Sequence, residues 1–146
     1  MSEQTSSGVM AGKRGLIMGV ANDRSIGWGI ASKLAEHGAE LAFTFQGEAL
    51  QKRVIPLAES VGSNLVLPCD VTDEASVDAV FDRLKSEWGE LDFVLHAIAY
   101  SDKEELKGAY LDTSRDNFQR TMDISVYSFT EVTRKATAMM KDGGSL

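Results

Sequence analysis

Leu16-Ile-Met-Gly-Val-Ala-Asn-Asp-Arg-Ser-Ile-Gly-Trp-Gly29 reads as a buried strand, a glycine-bearing loop and the first turn of a helix. A strand that runs into a helix through such a loop offers backbone N–H groups and the positive end of the helix to a phosphate. Gly19 lets the chain turn where a Cβ would clash, and Gly27 and Gly29 allow close approach of backbone, ligand and sheet. Gly19 and Gly27 stand eight apart, too far for the ordinary G-x-G-x-x-G spacing. The loop alone is equally readable as a tight strand–helix turn, so the rest of the chain decides.

From that stretch the alternation of periodicities runs to the end of the sequence. The helix after the loop starts near Ser25 as N-cap and carries Ile26, Ile30 and Leu34 on one stripe, with Ala31 and Ala35 thinning its packing surface. His37-Gly38 closes it. Glu40–Gln46 is a second strand, apolar on both faces as in a parallel sheet covered on both sides. A helix from Glu48 towards Ser60 should be kinked or interrupted at Pro56. Asn64–Val71 is a third strand, and Pro68 puts it at a sheet edge. Thr72 caps a helix carrying Val77, Val80, Phe81, Leu84 and Trp88 at helical offsets. Leu91–Ala97 is a fourth strand. Lys103–Asp112 is irregular, and a long helix from Ser114 to Met140 presents Phe118, Met122, Val126, Phe129, Val132 and Ala136. Ser145-Leu146 reads as the first residues of a further strand.

This β-α-β-α-β-α-β order implies an α/β fold, a Rossmann-like doubly wound parallel sheet with strand order 3-2-1-4, truncated after the start of the fifth strand. Residues 1–12 read as a flexible leader and 13–146 as one dinucleotide-binding domain. The chain has 146 residues, 43% hydrophobic and 25% charged, enough for one domain. A net charge of −7 argues against a nucleic-acid surface. No apolar run has the length of a membrane span, and the polar opening is not a signal peptide, so a cytoplasmic location is expected. Cys69 is the only cysteine, which excludes an internal disulfide, and no ligand spacing links the two histidines into a metal site.

Right-handed crossovers bring the C-terminal ends of all strands to one edge, where ligands bind. Gln46 there can hydrogen-bond ribose hydroxyls, Glu48 disfavours a 2′-phosphate, and no basic residue occurs before Lys52, which points to NAD(H) rather than NADP(H). Asp70 can accept from an adenine amino group and Val71 can pack on the ring; Asp70 could equally help start the next helix. Cys69 reads as a buried small hydrophobe, and His96 as a hydrogen-bonded strand-end histidine.

Gly19-Val-Ala-Asn-Asp-Arg-Ser-Ile-Gly-Trp-Gly29, Leu41-Ala-Phe-Thr-Phe-Gln46, Cys69-Asp-Val71, His96-Ala-Ile-Ala-Tyr100 and Asp123-Ile-Ser-Val-Tyr-Ser-Phe129 together closely resemble bacterial enoyl-[acyl-carrier-protein] reductase, a divergent short-chain dehydrogenase/reductase. The resemblance runs from Gly12 to Leu146, and the stretched loop ending in Ser-Ile-Gly is its most specific part. It implies reduction of trans-2-enoyl thioesters on acyl carrier protein by NADH in fatty-acid elongation, in a homo-oligomer, tetrameric by resemblance. Carried over residue by residue, it places Gly19, Ser25 and Ile26 at the pyrophosphate, Gln46 at the adenosine ribose, Asp70 and Val71 at the adenine, Ile98 beside the nicotinamide, and Ser101 along the substrate. Ala99-Tyr100 stands where Gly-Phe is common. The family's catalytic tyrosine–lysine pair is expected beyond Leu146, because none of Tyr100, Tyr110 and Tyr127 is followed at the family's spacing by a lysine; Arg134 stands there after Tyr127. The alternatives are another short-chain dehydrogenase, such as a ketoacyl reductase, and a non-catalytic NAD-binding fragment.

Overall fold

The computed structural model describes residues 8–146. Four parallel strands form one sheet in the order β3-β2-β1-β4, with β1 at Arg14–Met18, β2 at Glu40–Phe45, β3 at Val66–Pro68 and β4 at Phe93–His96. Leu16 is paired with Ala42 on one side and Val94 on the other, in the middle of the sheet. Side chains alternate across these strands. Leu16, Met18, Ala42 and Val94 face one layer, and Ile17, Leu41, Phe43 and Phe93 the other.

The second layer is closed by α1 (Ile26–Glu36) and α2 (Glu48–Ser60), through Ala31, Val54 and Ala58. The first is closed by α3 (Glu74–Glu87) and by α5 (Ser128–Thr137), with Val77, Val80, Leu84, Val132 and Ala136 buried against the strands. Apolar strands covered on both faces are what their continuous hydrophobicity requires. Pro68 occupies the last position of the edge strand β3 opposite Phe45, where a missing N–H costs no ladder bond. The chain beyond Met140 returns to the open edge of β4: Ser145 N–H donates to Asp92 and the Ser145 carbonyl accepts from Val94, both at 3.0 Å.

Several local expectations are corrected. The leader placed at 1–12 lies outside the described residues for 1–7. From Gly8 the described chain forms a hydrogen-bonded turn, with Met10 N–H on the His37 carbonyl and Lys13 N–H on the Met10 carbonyl. Ile26 and Ile30 are 81% and 40% exposed, because α1 lies on the sheet through its small residues Gly27 and Ala31. Gly29 has open space around its Cβ position. Helix α2 runs through Pro56, whose exposed flank leaves the orphaned carbonyl of the preceding turn to water. Asp73, rather than Thr72, caps α3, its carboxylate accepting from Ala75 N–H at 3.1 Å.

The long helix expected from Ser114 to Met140 is helical without a break from Arg115 to Thr137, but it is two α segments joined by a π turn. Ser114 caps α4 (Arg115–Met122), a single π turn follows at Asp123–Tyr127, and α5 begins at Ser128, whose N–H reaches back to the Asp123 carbonyl. Phe118, Met122, Val126 and Phe129 are each at least 40% exposed, and of the six apolar positions expected to pack only Val132 and Ala136 are buried.

Candidate active site

The loop after β1 is fixed before any ligand is considered. Gly19 sits at φ +100°, and a Cβ on it would collide with the Ala97 carbonyl at the end of β4. Only glycine adopts this backbone without strain. The Ser25 hydroxyl accepts from the N–H groups of Ala21 at 2.9 Å and Asn22 at 3.0 Å, while Asn22 Oδ1 accepts from Arg24 N–H at 2.8 Å. Ser25 therefore holds the loop rather than the helix. No side chain caps α1 and its first turn carries no acid, so its leading N–H groups and its positive end are uncompensated.

At the ends of β2 and β3, Gln46 Nε2 donates to Asp70 Oδ2 at 3.1 Å. Asp70 Oδ1 accepts from the Thr72 hydroxyl at 2.7 Å and from Thr72 N–H at 2.9 Å. These Thr72 bonds, with smaller contributions from Gln46 and the Arg120 charge, hold the Asp70 carboxyl below the usual carboxylate range. Asp70 is an anion at neutral pH. Burial pushes the neighbouring Cys69 thiol up to about 11, which leaves it protonated and a poor nucleophile.

The end of β4 is organised by the helix opposite. The Ser128 hydroxyl donates to the Ile124 carbonyl at 2.6 Å and stands 2.7 Å from His96 Nε2, so the ring nitrogen is the donor in the second bond. Burial lowers the His96 pKa below its ordinary value and keeps the ring neutral. Ser125 Oγ accepts from Tyr100 N–H at 3.0 Å and donates to the Tyr100 carbonyl at 3.2 Å, pinning the segment after β4.

These strand ends border one cleft of about 310 Å³. Gly19, Gln46, Asp70, Val71 and Ile98 all line it. Ser25 and Ile26 do not; they belong to the loop and helix start behind Gly19. Ser101 is also outside it, its hydroxyl accepting from Asn117 Nδ2 at 3.2 Å and lying 3.3 Å from Thr121 Oγ1. Two residues of the cleft wall that come from beyond the strand ends had no site role in the sequence reading, Arg120 on α4 and Ile124 in the π turn. Neither lies near a strand end in the chain, and only the packing of α4 over the sheet edge brings them there. The Arg120 guanidinium carbon lies 4.9 Å from the centroid of the Tyr100 ring. Among the described residues no cluster of three His, Cys, Asp or Glu side chains could hold a metal, and no helix is long and apolar enough to cross a membrane.

The strand order, the covered parallel sheet and the glycine loop under its C-terminal edge define a Rossmann-like α/β fold of the short-chain dehydrogenase/reductase type. The sequence profile described as "Enoyl-(Acyl carrier protein) reductase" matches residues 19–146. The chain belongs to the enoyl-(acyl carrier protein) reductase family. It is 65% identical over 141 residues to enoyl-[acyl-carrier-protein] reductase [NADH] 1 of Rhizobium meliloti, covering 97% of this chain and 52% of that protein. Among solved structures, FabI from Candidatus Liberibacter asiaticus superposes with a TM-score of 0.92 at 55% identity, over 94% of this chain and 53% of that one. The Anaplasma phagocytophilum enoyl-(acyl-carrier-protein) reductase in complex with NAD gives 0.91, also at 55% identity, over 94% and 53% of the two chains. The chain thus spans about half the length of the curated relatives it matches.

Proposed function

We propose that this chain forms the NADH-binding part of an enoyl-[acyl-carrier-protein] reductase. The observation that carries this reading is the convergence of Gly19, Gln46, Asp70, Val71 and Ile98 on a single cleft. The residues fit a dinucleotide on their own chemistry. The uncapped start of α1 suits a diphosphate, with Gly19, Ser25 and Ile26 shaping that end. Ser25 acts there by holding the loop, and Ile26 by its backbone at the first helical position. Gln46 meets the ribose hydroxyls, and the anionic Asp70 accepts from the adenine amino group while Val71 packs on the ring. Ile98 and the small residues Ala97 and Ala99 leave room for the nicotinamide.

The cofactor, when bound, supplies the hydride that reduces the double bond of a trans-2-enoyl thioester carried on acyl carrier protein. Ser101 follows Tyr100 of the cleft wall, and by family resemblance it lies along that substrate. The whole protein acts in fatty-acid elongation, in the cytoplasm, and assembles as a homo-oligomer, a tetramer by family resemblance. The exposed apolar stripe Phe118, Met122, Val126 and Phe129 is the surface that supports assembly. Residues 13–146 act as the dinucleotide-binding domain of that protein.

Titration calorimetry of the 146-residue chain with NADH and NADPH tests the proposal. Saturable NADH binding with weaker NADPH binding is expected, since no cation stands at the end of β2. Preference for NADPH would overturn the roles of Gln46 and Glu48, and no binding of either would overturn the half-site itself.

A further inference from the structure

Among the described residues lining the cleft, Arg120 is the one cation and Asp70 the one anion. Among the described residues the Arg120 side chain makes no ion pair and no hydrogen bond, although its charge is felt at Asp70. An arginine kept for stability would be expected to bridge to that carboxylate. Instead its only specific contact is with an aromatic face, at 4.9 Å from the Tyr100 centroid, and Tyr100 itself is anchored through both backbone polar groups to Ser125. A guanidinium over a ring whose backbone is anchored keeps its second face and all its donors free, and that face is a flat, weakly hydrated platform for another π system.

We propose that Arg120 is a specificity-determining residue of this cleft: its guanidinium, carried on Tyr100, stacks on the base of the adenine nucleotide whose amino group Asp70 accepts. The inference rests on the dinucleotide reading above and adds a wall to it. Val71 and Arg120 then enclose the purine, one apolar and one planar and cationic, with Asp70 and Gln46 at its edges. Stacking of this kind depends on the flat fork and much less on net charge, so lysine is a poor substitute. A guanidinium that merely attracted the diphosphate would behave in the opposite way.

Dissociation constants for NADH and ADP-ribose distinguish these cases, measured on the 146-residue chain and on Arg120→Ala and Arg120→Lys. The ligand-free unfolding midpoint serves as a control, and it should not move because Arg120 is exposed. Arg120→Ala should weaken both ligands about tenfold. Arg120→Lys should recover only a minor part of that, and the ratio to wild type should hold between about 50 mM and about 500 mM salt, where charge attraction is screened away. Full recovery by lysine, or a ratio that collapses with salt, would replace stacking by simple attraction to the diphosphate and overturn the proposal. Unchanged affinity in Arg120→Ala would overturn it too, while leaving the dinucleotide site standing. Failure of the unmutated chain to bind NADH would remove both.

Discussion

Gln46 and Asp70, 24 positions apart in sequence, are joined by a 3.1 Å hydrogen bond across the ends of β2 and β3. The bond orients Gln46: one of its two amide N–H donors is given to the carboxylate, and the other, with the carbonyl oxygen, is left for further partners. Asp70 in turn is held by two bonds from Thr72, so the two residues form one rigid polar rim.

Asp70→Asn should loosen that rim. The Thr72 bonds hold the Asp70 pKa below the ordinary carboxylate value, so its stabilising contribution is present above the unfolded value and is lost as pH falls through the folded one. The wild-type unfolding midpoint should therefore owe no pH dependence to Asp70 between neutrality and the ordinary carboxylate range. The variant should be less stable than wild type at neutral pH, with the difference closing in acid. Circular dichroism melts at neutral and strongly acidic pH give the answer; a constant gap would refute the assignment.

Gly19→Ala combines two penalties, a left-handed backbone and a collision with the Ala97 carbonyl. A loss of about 1–3 kcal/mol in urea unfolding is expected, together with loss of NADH binding. Wild-type stability in the variant would mean that the loop does not press on β4.

Ser25→Ala and Ile26→Ala separate loop from surface. Removing the Ser25 hydroxyl leaves the N–H groups of Ala21 and Asn22 without their acceptor and should cost about 1–2 kcal/mol. Ile26 is exposed, so its truncation should leave stability within about 0.5 kcal/mol. Equal effects in the two variants would contradict the geometry.

His96 carries a pH signature of its own. Its folded pKa is lowered by burial, so the unfolded chain takes up the proton first as pH drops below about 6.5. Stability present above that value should decline just below it. His96→Gln, which can keep a donor to Ser128, should be flat over the same interval in urea titrations; a parallel decline in the variant would place the titrating group elsewhere.

The parallel sheet was legible because its strands are apolar on both faces and its turns are marked by glycines. Pro68 even disclosed the sheet edge. What misled was the helix stripe of Ile26 and Ile30: periodicity says that residues share a face, but not which face meets the sheet. There, the face carrying Gly27 and Ala31 meets the sheet, although a Cβ at Gly27 would reach only ordinary contact with Val20 and Ala97. The cleft was legible where strand ends supply it and illegible at Arg120, which reaches it only through tertiary packing. The sequence also gave no sign that Asp123–Tyr127 departs from α geometry, since a π turn keeps the same residue types and changes only the hydrogen-bond step.

That π turn sets an angular offset within what would otherwise be one rod. Each residue of an α-helix advances about 100° around the axis, so one residue more per turn rotates everything downstream by that amount. Ser125 thereby meets Tyr100 while Ser128, only three positions later, meets His96. The angle between the cleft-facing side of α4 and the sheet-facing side of α5 is stored in five residues. Excision of one of them would restore a continuous α-helix and put the two faces out of phase, so that the chain could seat Arg120 over the cleft or Val132 in the core, but not both.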